Sequence, residues 1–344
     1  MIYLDYSATT KINEEVLEIT TKDILTKASQ EDIKACQDQI RKILNTDHEI
    51  IFTSGSTESN NHALKSVLTN PKTEIITTKL EHSSINETLK YLETKGKKII
   101  YAPLKDGIVD LESLEKLITE NTALITICAV NTETGMQNPI NAIGKLAKDK
   151  KVLFHTDMTG SIGKIPIPLE NVDLASTSSH KFYGPKGIGL LIKNKNVKID
   201  KLIKQERTYN LGLIKGLTKA LTLALENQDE NLKKVKKLNI YLKENLKSIQ
   251  GITINSNQNS IPHILNISID SYKPETFLHY LEMDDIYIST LSACAKDDYS
   301  KAILAITNDE KKAKTSVRIS LSHLTKKQDL DKLIEKIKRR EHAR

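Results

Sequence analysis

From about residue 50, short apolar runs alternate with segments whose apolar residues recur every three or four positions. Such alternation predicts strands that alternate with amphipathic helices laid over a mostly parallel sheet. Seven runs have strand character: 50–53, 74–78, 98–102, 123–130, 152–155, 174–177 and 189–192. Helical spacing covers 58–68, 84–95, 111–118 and 140–150, and Ser84 with Glu87 three residues on has the form of a capping box. Asp106-Gly107 marks a turn. After residue 207 the pattern predicts one long helix, lysine-rich on one face, to about 246. Shorter strands return at 264–269, 286–290 and 316–320, with a final helix from 326. The expected fold is therefore α/β, a large domain with a mostly parallel seven-stranded sheet covered by helices, plus a smaller α+β C-terminal domain. We expect the large domain to span 13–232 and the small one to combine 1–12 with 233–344.

With 344 residues the chain is long enough for two cores, and 38% apolar residues without a long low-complexity tract exclude general disorder. The net charge of +7 comes from 51 Lys and Arg against 44 Asp and Glu, interspersed along helical stretches. Aromatics are 4% with no Trp, so a base-stacking platform is not expected, nor direct binding of nucleic acid. No run approaches a membrane span and no basic leader opens the chain. Three widely spaced cysteines point to a reducing, cytoplasmic setting rather than a disulfide framework, and no spacing suggests a metal site. Cys36 shares the helical apolar spacing of Ile33, Ile40 and Ile43, and Cys128 lies within the predicted 123–130 strand, so both are expected in the core.

Candidate chemistry gathers after the strands. Lys181, in Ser178-Ser179-His180-Lys181, lies between two apolar runs and is a candidate Schiff-base lysine. Asp157 ends the preceding strand and is placed to keep a pyridine nitrogen protonated, the second group a pyridoxal phosphate site needs. Gly55-Ser56-Thr57, between a strand and a helix, is suited to cradle a phosphate. His82 follows another strand, and loops at the carboxyl ends of strands in such sheets share one crevice.

These residues, together with Tyr3-Leu4-Asp5-Tyr6-Ser7-Ala8-Thr9-Thr10, Asn131-Thr132-Glu133-Thr134-Gly135, Ser292-Ala293-Cys294 and Ser316-Val317-Arg318, resemble the NifS/IscS-type cysteine desulfurases of the class V aminotransferase group. The resemblance spans nearly the whole chain in order. It implies pyridoxal phosphate fold type I, a homodimer, and formation of L-alanine from L-cysteine, with sulfur passed to an iron–sulfur scaffold or tRNA-thiolation protein. It further implies that Lys181 binds pyridoxal 5'-phosphate and moves the substrate's α-proton, and that Asp157 pairs with the pyridinium. His82 would stack on the ring, while Ser56, Thr57, Ser178 and His180 hold the phosphate. Asn131 and Thr132 would lie beside the ring, Arg318 would grip the substrate carboxylate, and Cys294 would accept the sulfur as a persulfide. Small polar neighbours and Lys296 suit an accessible thiolate at Cys294.

Several positions depart from that family. Thr132 replaces an asparagine, and Gly160 stands where a glutamine reaches the cofactor's phenolic oxygen. We expect weaker cofactor retention as a result, with Gly160→Gln tightening it provided the longer side chain fits. A Gly-Asn-Pro-Ser segment is missing near 23–31, Leu213 replaces a threonine that reaches the partner's cofactor, and only four residues separate Cys294 from Tyr299. Two alternatives stay open on the sequence: another lyase of this cofactor, such as a selenocysteine lyase, and a degenerate scaffold homologue.

Overall fold

In a computed structural model of the chain, residues 1–199, 209–270, 273–290 and 299–342 are described. Seven strands form the large sheet in the order Glu49–Thr53, Gly189–Lys193, Leu174–Ser178, Leu153–Asp157, Thr122–Thr126, Glu74–Thr77, Lys98–Tyr101. Gly189–Lys193 runs antiparallel to both its neighbours, and every other pair is parallel. Helices covering both faces demand strands apolar on both sides, which is why Thr122–Thr126 and Gly189–Lys193 are buried along their whole length. The covering helices keep one buried stripe: Ile140–Asp149 buries Ile140, Ile143, Gly144 and Ala147. In Gln30–Ile43, Ile33, Cys36 and Ile40 are buried, so Cys36 is a core thiol, and Ser29 with Asp32 closes a capping box.

The second layer is smaller. Ile252–Ile254, Ile264–Ile269 and Ser316–Ser320 form an antiparallel sheet. Leu265, Ile267 and Val317 pack with Leu242 and Leu246 of Gln228–Lys247, Phe277 of Pro274–Glu282, and Leu330 and Leu333 of Lys327–His342. Burying one such side chain stabilises by roughly 1.5–3 kcal/mol, so this second core holds the sheet to its helices. Ile2–Tyr3 pairs in parallel with Ile286–Tyr287, and Ile2 and Leu4 join the same core.

Four local expectations differ from the structure. The 123–130 run leaves the strand at Thr126, and Cys128 is buried beyond it, its amide held by the Glu81 carboxylate. Only Ile286–Tyr287 of 286–290 is strand. The long helix is two, Leu211–Glu226 and Gln228–Lys247, because Asn227 leaves helical geometry and bonds its side chain back to the Leu223 carbonyl. The lysine-rich face belongs to the second alone, while the first is apolar and packs on Glu14–Lys22 and Gln30–Ile43. Finally, helix Ser83–Glu93 is capped by His82 rather than Ser84.

Candidate active site

Leu174–Ser178 and Leu153–Asp157 are adjacent parallel strands with Asp157 opposite Ser176, so the loops leaving them open on the same side. The turn Ser179–Lys181 carries Lys181 over that edge. Its ammonium donates to the carbonyls of Ser7 at 2.5 Å and Ala8 at 2.9 Å. The N-terminal motif thus forms one wall, and Thr9 Oγ1 and His180 Nδ1 are 3.1 Å apart beside it. Asp157 accepts from Asn60 Nδ2 at 2.8 Å and from the Thr159 amide at 2.9 Å. Asn60 also donates to Ser84 Oγ, whose backbone amide donates to His82 Nδ1 at 3.2 Å. Accepting that bond puts the neutral ring's proton on Nε2. Burial holds His82 below the ordinary histidine range, against the opposing pull of Asp157.

Beneath Asp157 the polar groups are kept neutral. Burial pushes His155 down to about 4, and it bonds Thr126 Oγ1 and Ser176 Oγ at 2.8 and 2.9 Å. Glu81 is driven up to about 8 by burial and accepts from Thr78 and the Cys128 amide.

The outer end of the crevice is a cavity of about 450 Å³, lined among others by Thr9, Gly55, Ser56, Thr57, Ser178 and His180. Helix Ser56–Lys65 begins there with no side-chain cap, leaving first-turn amides free to meet an anion. Gly55 has φ +153°, a conformation L side chains rarely adopt, which lets the chain turn into the helix at this point. The hydroxyls of Ser56, Thr57 and Ser178 have no hydrogen-bond partner among the described residues. Uncapped amides and three unengaged hydroxyls match the acceptor oxygens of a phosphate ester, so this end fits the phosphate of pyridoxal phosphate.

Arg318 lies on Ser316–Ser320, a flanking strand of the small sheet, opposite Asn266, and is 2% exposed. One guanidinium nitrogen meets Asp5 Oδ1 at 2.7 Å and another donates to the Thr132 carbonyl at 3.0 Å, while Nε is buried without a partner. Its ion pair is therefore internal, and its buried Nε is left without a partner.

The ring end departs from expectation. A Cβ at Gly160 would lie 2.7 Å from the Val130 carbonyl oxygen and 2.9 Å from Thr132 Cγ2. Gly160→Gln therefore does not fit, and the expected gain in cofactor retention is withdrawn: the Thr132 methyl and the Val130 backbone already fill that space. Asn131 is engaged in its own loop, with Oδ1 accepting from the Glu133 and Thr134 amides and Nδ2 donating to the Leu80 carbonyl. Lys164 donates to the Gly160 carbonyl at 3.2 Å, and burial, with Lys181 and Arg318 near, lowers it to about 7.

Lys181, Asp157, His82, Ser56, Thr57, Ser178 and His180 are thus brought to one crevice, with Thr132 and Arg318 at its inner side. Cys294 and Lys296 lie outside the described residues. The sequence reading missed Asp5, Asn60, Ser84 and Lys164. Asn60 had a signal, since Ser59-Asn60 puts polar residues on the face of its helix that also buries Ala63 and Leu64.

The model of the aminotransferase class-V family matches residues 2–205 and 200–333, and the chain belongs to that family. Its fold is the pyridoxal phosphate fold type I. Among curated relatives it is similar to cysteine desulfurase IscS of Clostridium botulinum, with 35% identity covering 97% of this chain and 92% of that protein. The IscS of Rickettsia rickettsii is 36% identical over 96% and 88% of the two chains. A solved NifS-like protein superposes with a TM-score of 0.92 at 33% identity, covering both chains fully.

Proposed function

We propose that this chain is a pyridoxal phosphate-dependent L-cysteine desulfurase. The observation that carries the reading is the convergence of Lys181, the hydrogen-bonded Asp157, His82 and the uncapped Ser56-Thr57 helix start on one crevice. Curated relatives covering nearly the whole chain are cysteine desulfurases, which supports the same reading. In this reading 13–232 form the cofactor domain, and 1–12 with 233–344 form the small domain that carries Arg318 and Cys294. A cytoplasmic homodimer, a sulfur-acceptor protein as partner and no direct nucleic-acid ligand complete it. Among the described residues, no helix is long and apolar enough to cross a membrane.

Bound pyridoxal phosphate supplies an electron sink for carbanion chemistry. Ser56, Thr57, Ser178 and His180 would hold its phosphate, and Asp157, fixed by Asn60 and Thr159, would pair with its ring nitrogen. Lys181, now bonded to the Ser7 and Ala8 carbonyls, would hold the cofactor through its amine and would move the substrate's α-proton. His82 would cover the ring, with its Nε2–H available for proton transfer. Arg318, whose Nε has no partner within the protein, would bind the substrate carboxylate. The Cys294 thiolate forms an S–S bond to the substrate sulfur as the C–S bond breaks. The electron pair stays with the three-carbon unit, which takes up a proton at Cβ and leaves as L-alanine, with Cys294 as persulfide.

The test is production of alanine and, with a thiol reductant, sulfide from L-cysteine by purified, cofactor-loaded protein, expected in equal amounts. Turnover of selenocysteine alone would favour the other lyase, and no turnover with cofactor bound would leave the scaffold reading. Cys294→Ser is expected to keep the cofactor's absorbance and lose persulfide. A persulfide mapped to Cys36 or Cys128 instead would overturn the role of Cys294.

A further inference from the structure

The turn that follows Leu153–Asp157 folds back on itself, with the Lys164 and Ile165 amides both donating to the Ser161 carbonyl, at 2.9 and 3.1 Å. It brings the Lys164 ammonium to the Gly160 carbonyl at 3.2 Å. Both ends of this turn meet the site. On one side Gly160 lies against Thr132, whose carbonyl accepts from Arg318 at 3.0 Å. On the other, a Cβ at Gly163 would lie 3.4 Å from Cβ of Phe182, the residue after Lys181. Lys164 thus stands between the neighbours of Arg318 and those of Lys181, and burial together with the charges of both lowers it to about 7.

The charges at this inner end do not balance. Arg318 is paired with Asp5 at 2.7 Å, so those two charges cancel, and its Nε is buried without a partner. Among the described residues Lys164, half-buried, makes its one hydrogen bond to Gly160 and meets no carboxylate at ion-pairing distance. The other ionisable groups that feel its charge, His180 and His263, are basic as well, and burial keeps both below the histidine range. An enclosed cation with no counter-ion, beside two further cations, is unfavourable in the folded chain unless an anion joins it. The phosphate cradle lies at the outer end, around Ser56 and Thr57, so the anion suited to the inner end is a different one.

We propose that Lys164 supplies the net positive charge that binds the carboxylate of the amino acid substrate, which Arg318, already neutralised by Asp5, orients through its free Nε. Lys164 is then the residue that makes the crevice prefer an α-amino acid to a simple amine. The inference rests on the desulfurase reading above and adds a specificity-determining residue to it.

The experiment uses the full chain, cofactor-loaded and cofactor-free, unmodified and as Lys164→Met and Lys164→Arg. On the loaded forms, L-alanine and ethylamine, which differ only in the carboxylate, are titrated against the cofactor absorbance. Lys164→Met is expected to raise the L-alanine concentration that gives half the change about tenfold or more, and that of ethylamine by less than about twofold. Lys164→Arg, which keeps the charge, is expected to stay closer to the unmodified protein with L-alanine. On the cofactor-free forms, Lys164→Met is expected to raise the urea midpoint, because it removes an unpaired cation from beside two others. Equal shifts for L-alanine and ethylamine, or no shift for L-alanine, overturn the proposal. So does a lowered urea midpoint, which would make Lys164 a structural support. Should Lys164→Met not fold, Lys164→Gln decides by the same readings. Formation of alanine from L-cysteine by the unmodified chain is read separately, and its absence refutes the desulfurase reading itself, whatever the Lys164 variants do.

Discussion

The two ends of the crevice are built by different means. At the outer end, Gly55 and the start of Ser56–Lys65 present free amides and unengaged hydroxyls to a cavity of about 450 Å³. At the inner end, the Gly160 backbone is pressed against the Val130 carbonyl and the Thr132 methyl, with no room for a side chain. One end presents unpaired donors, whereas the other is closed by packing. The difference teaches that the inner end is set by close packing, the Val130 carbonyl and the Thr132 methyl occupying the space a side chain at Gly160 would need.

Lys181 lies between the ends, and removing it breaks the comparison most severely. Lys181→Ala is expected to abolish alanine formation, while the outer end still takes pyridoxal phosphate noncovalently. Borohydride reduction of the unmodified protein followed by mass spectrometry should find the cofactor on Lys181, and a different lysine would sink the assignment.

Acid separates the ends by their histidines. Burial depresses His155 and His180 to about 4 and His263 to about 3, so the folded state prefers them neutral. Their stabilisation is complete above about pH 6.5 and is lost as pH falls toward 4, at most about 1.4 kcal/mol per unit for each. Glu81, raised to about 8 by burial, acts in the opposite sense and cancels about one histidine's share between pH 6.5 and 4.5. Urea unfolding should therefore show stability falling as pH drops through that window, with His180 contributing less because it is open to the crevice. Cofactor loading should flatten the slope by the His180 share, since a bound phosphate favours its protonated form. A slope unchanged by loading would place the phosphate away from His180.

Gly160→Gln sharpens the contrast from the inner end. It is expected to lower unfolding stability by about 1–3 kcal/mol through overpacking, with no tighter cofactor binding. Adding Thr132→Ala should recover only part, because the Val130 carbonyl remains in the way. Tighter binding of pyridoxal phosphate by Gly160→Gln would show that the inner end is open after all.

The smallest effect belongs to Ser56→Ala at the outer end. Removing one hydroxyl from a cradle that also contains Thr57, Ser178 and helix amides is expected to weaken cofactor binding by about 1 kcal/mol, near fivefold, without changing stability. Titration of apo protein with pyridoxal phosphate measures it, and a change in unfolding midpoint would show a structural hydroxyl instead.

Much of this was legible in the chain. The short β-rich runs located all seven strands of the large sheet to within a few residues, because strands alternating with amphipathic helices leave a distinct pattern in the chain. Lys181, Asp157, His82 and Ser56 were singled out because each ends or follows a strand, and the structure brings them to one crevice, since strand ends converge in this architecture. The partners of these residues were not legible. Asn60 meets Asp157 across 97 positions of sequence and Asp5 meets Arg318 across 313, and no local pattern encodes either bond. Nor was the space beside Gly160 legible, as its walls come from residues about thirty positions earlier.

What the sequence determined by itself is the set of elements and the kinds of group at their ends, because periodicity and residue chemistry act within a few residues. Only the tertiary structure decided which of those groups are free. Asn131 and part of the Arg318 fork are engaged within the protein, whereas Ser56, Thr57 and Ser178 are left open. That decision belongs to packing: a buried polar atom must bond whatever the fold places beside it, and the fold brings together residues the chain holds far apart.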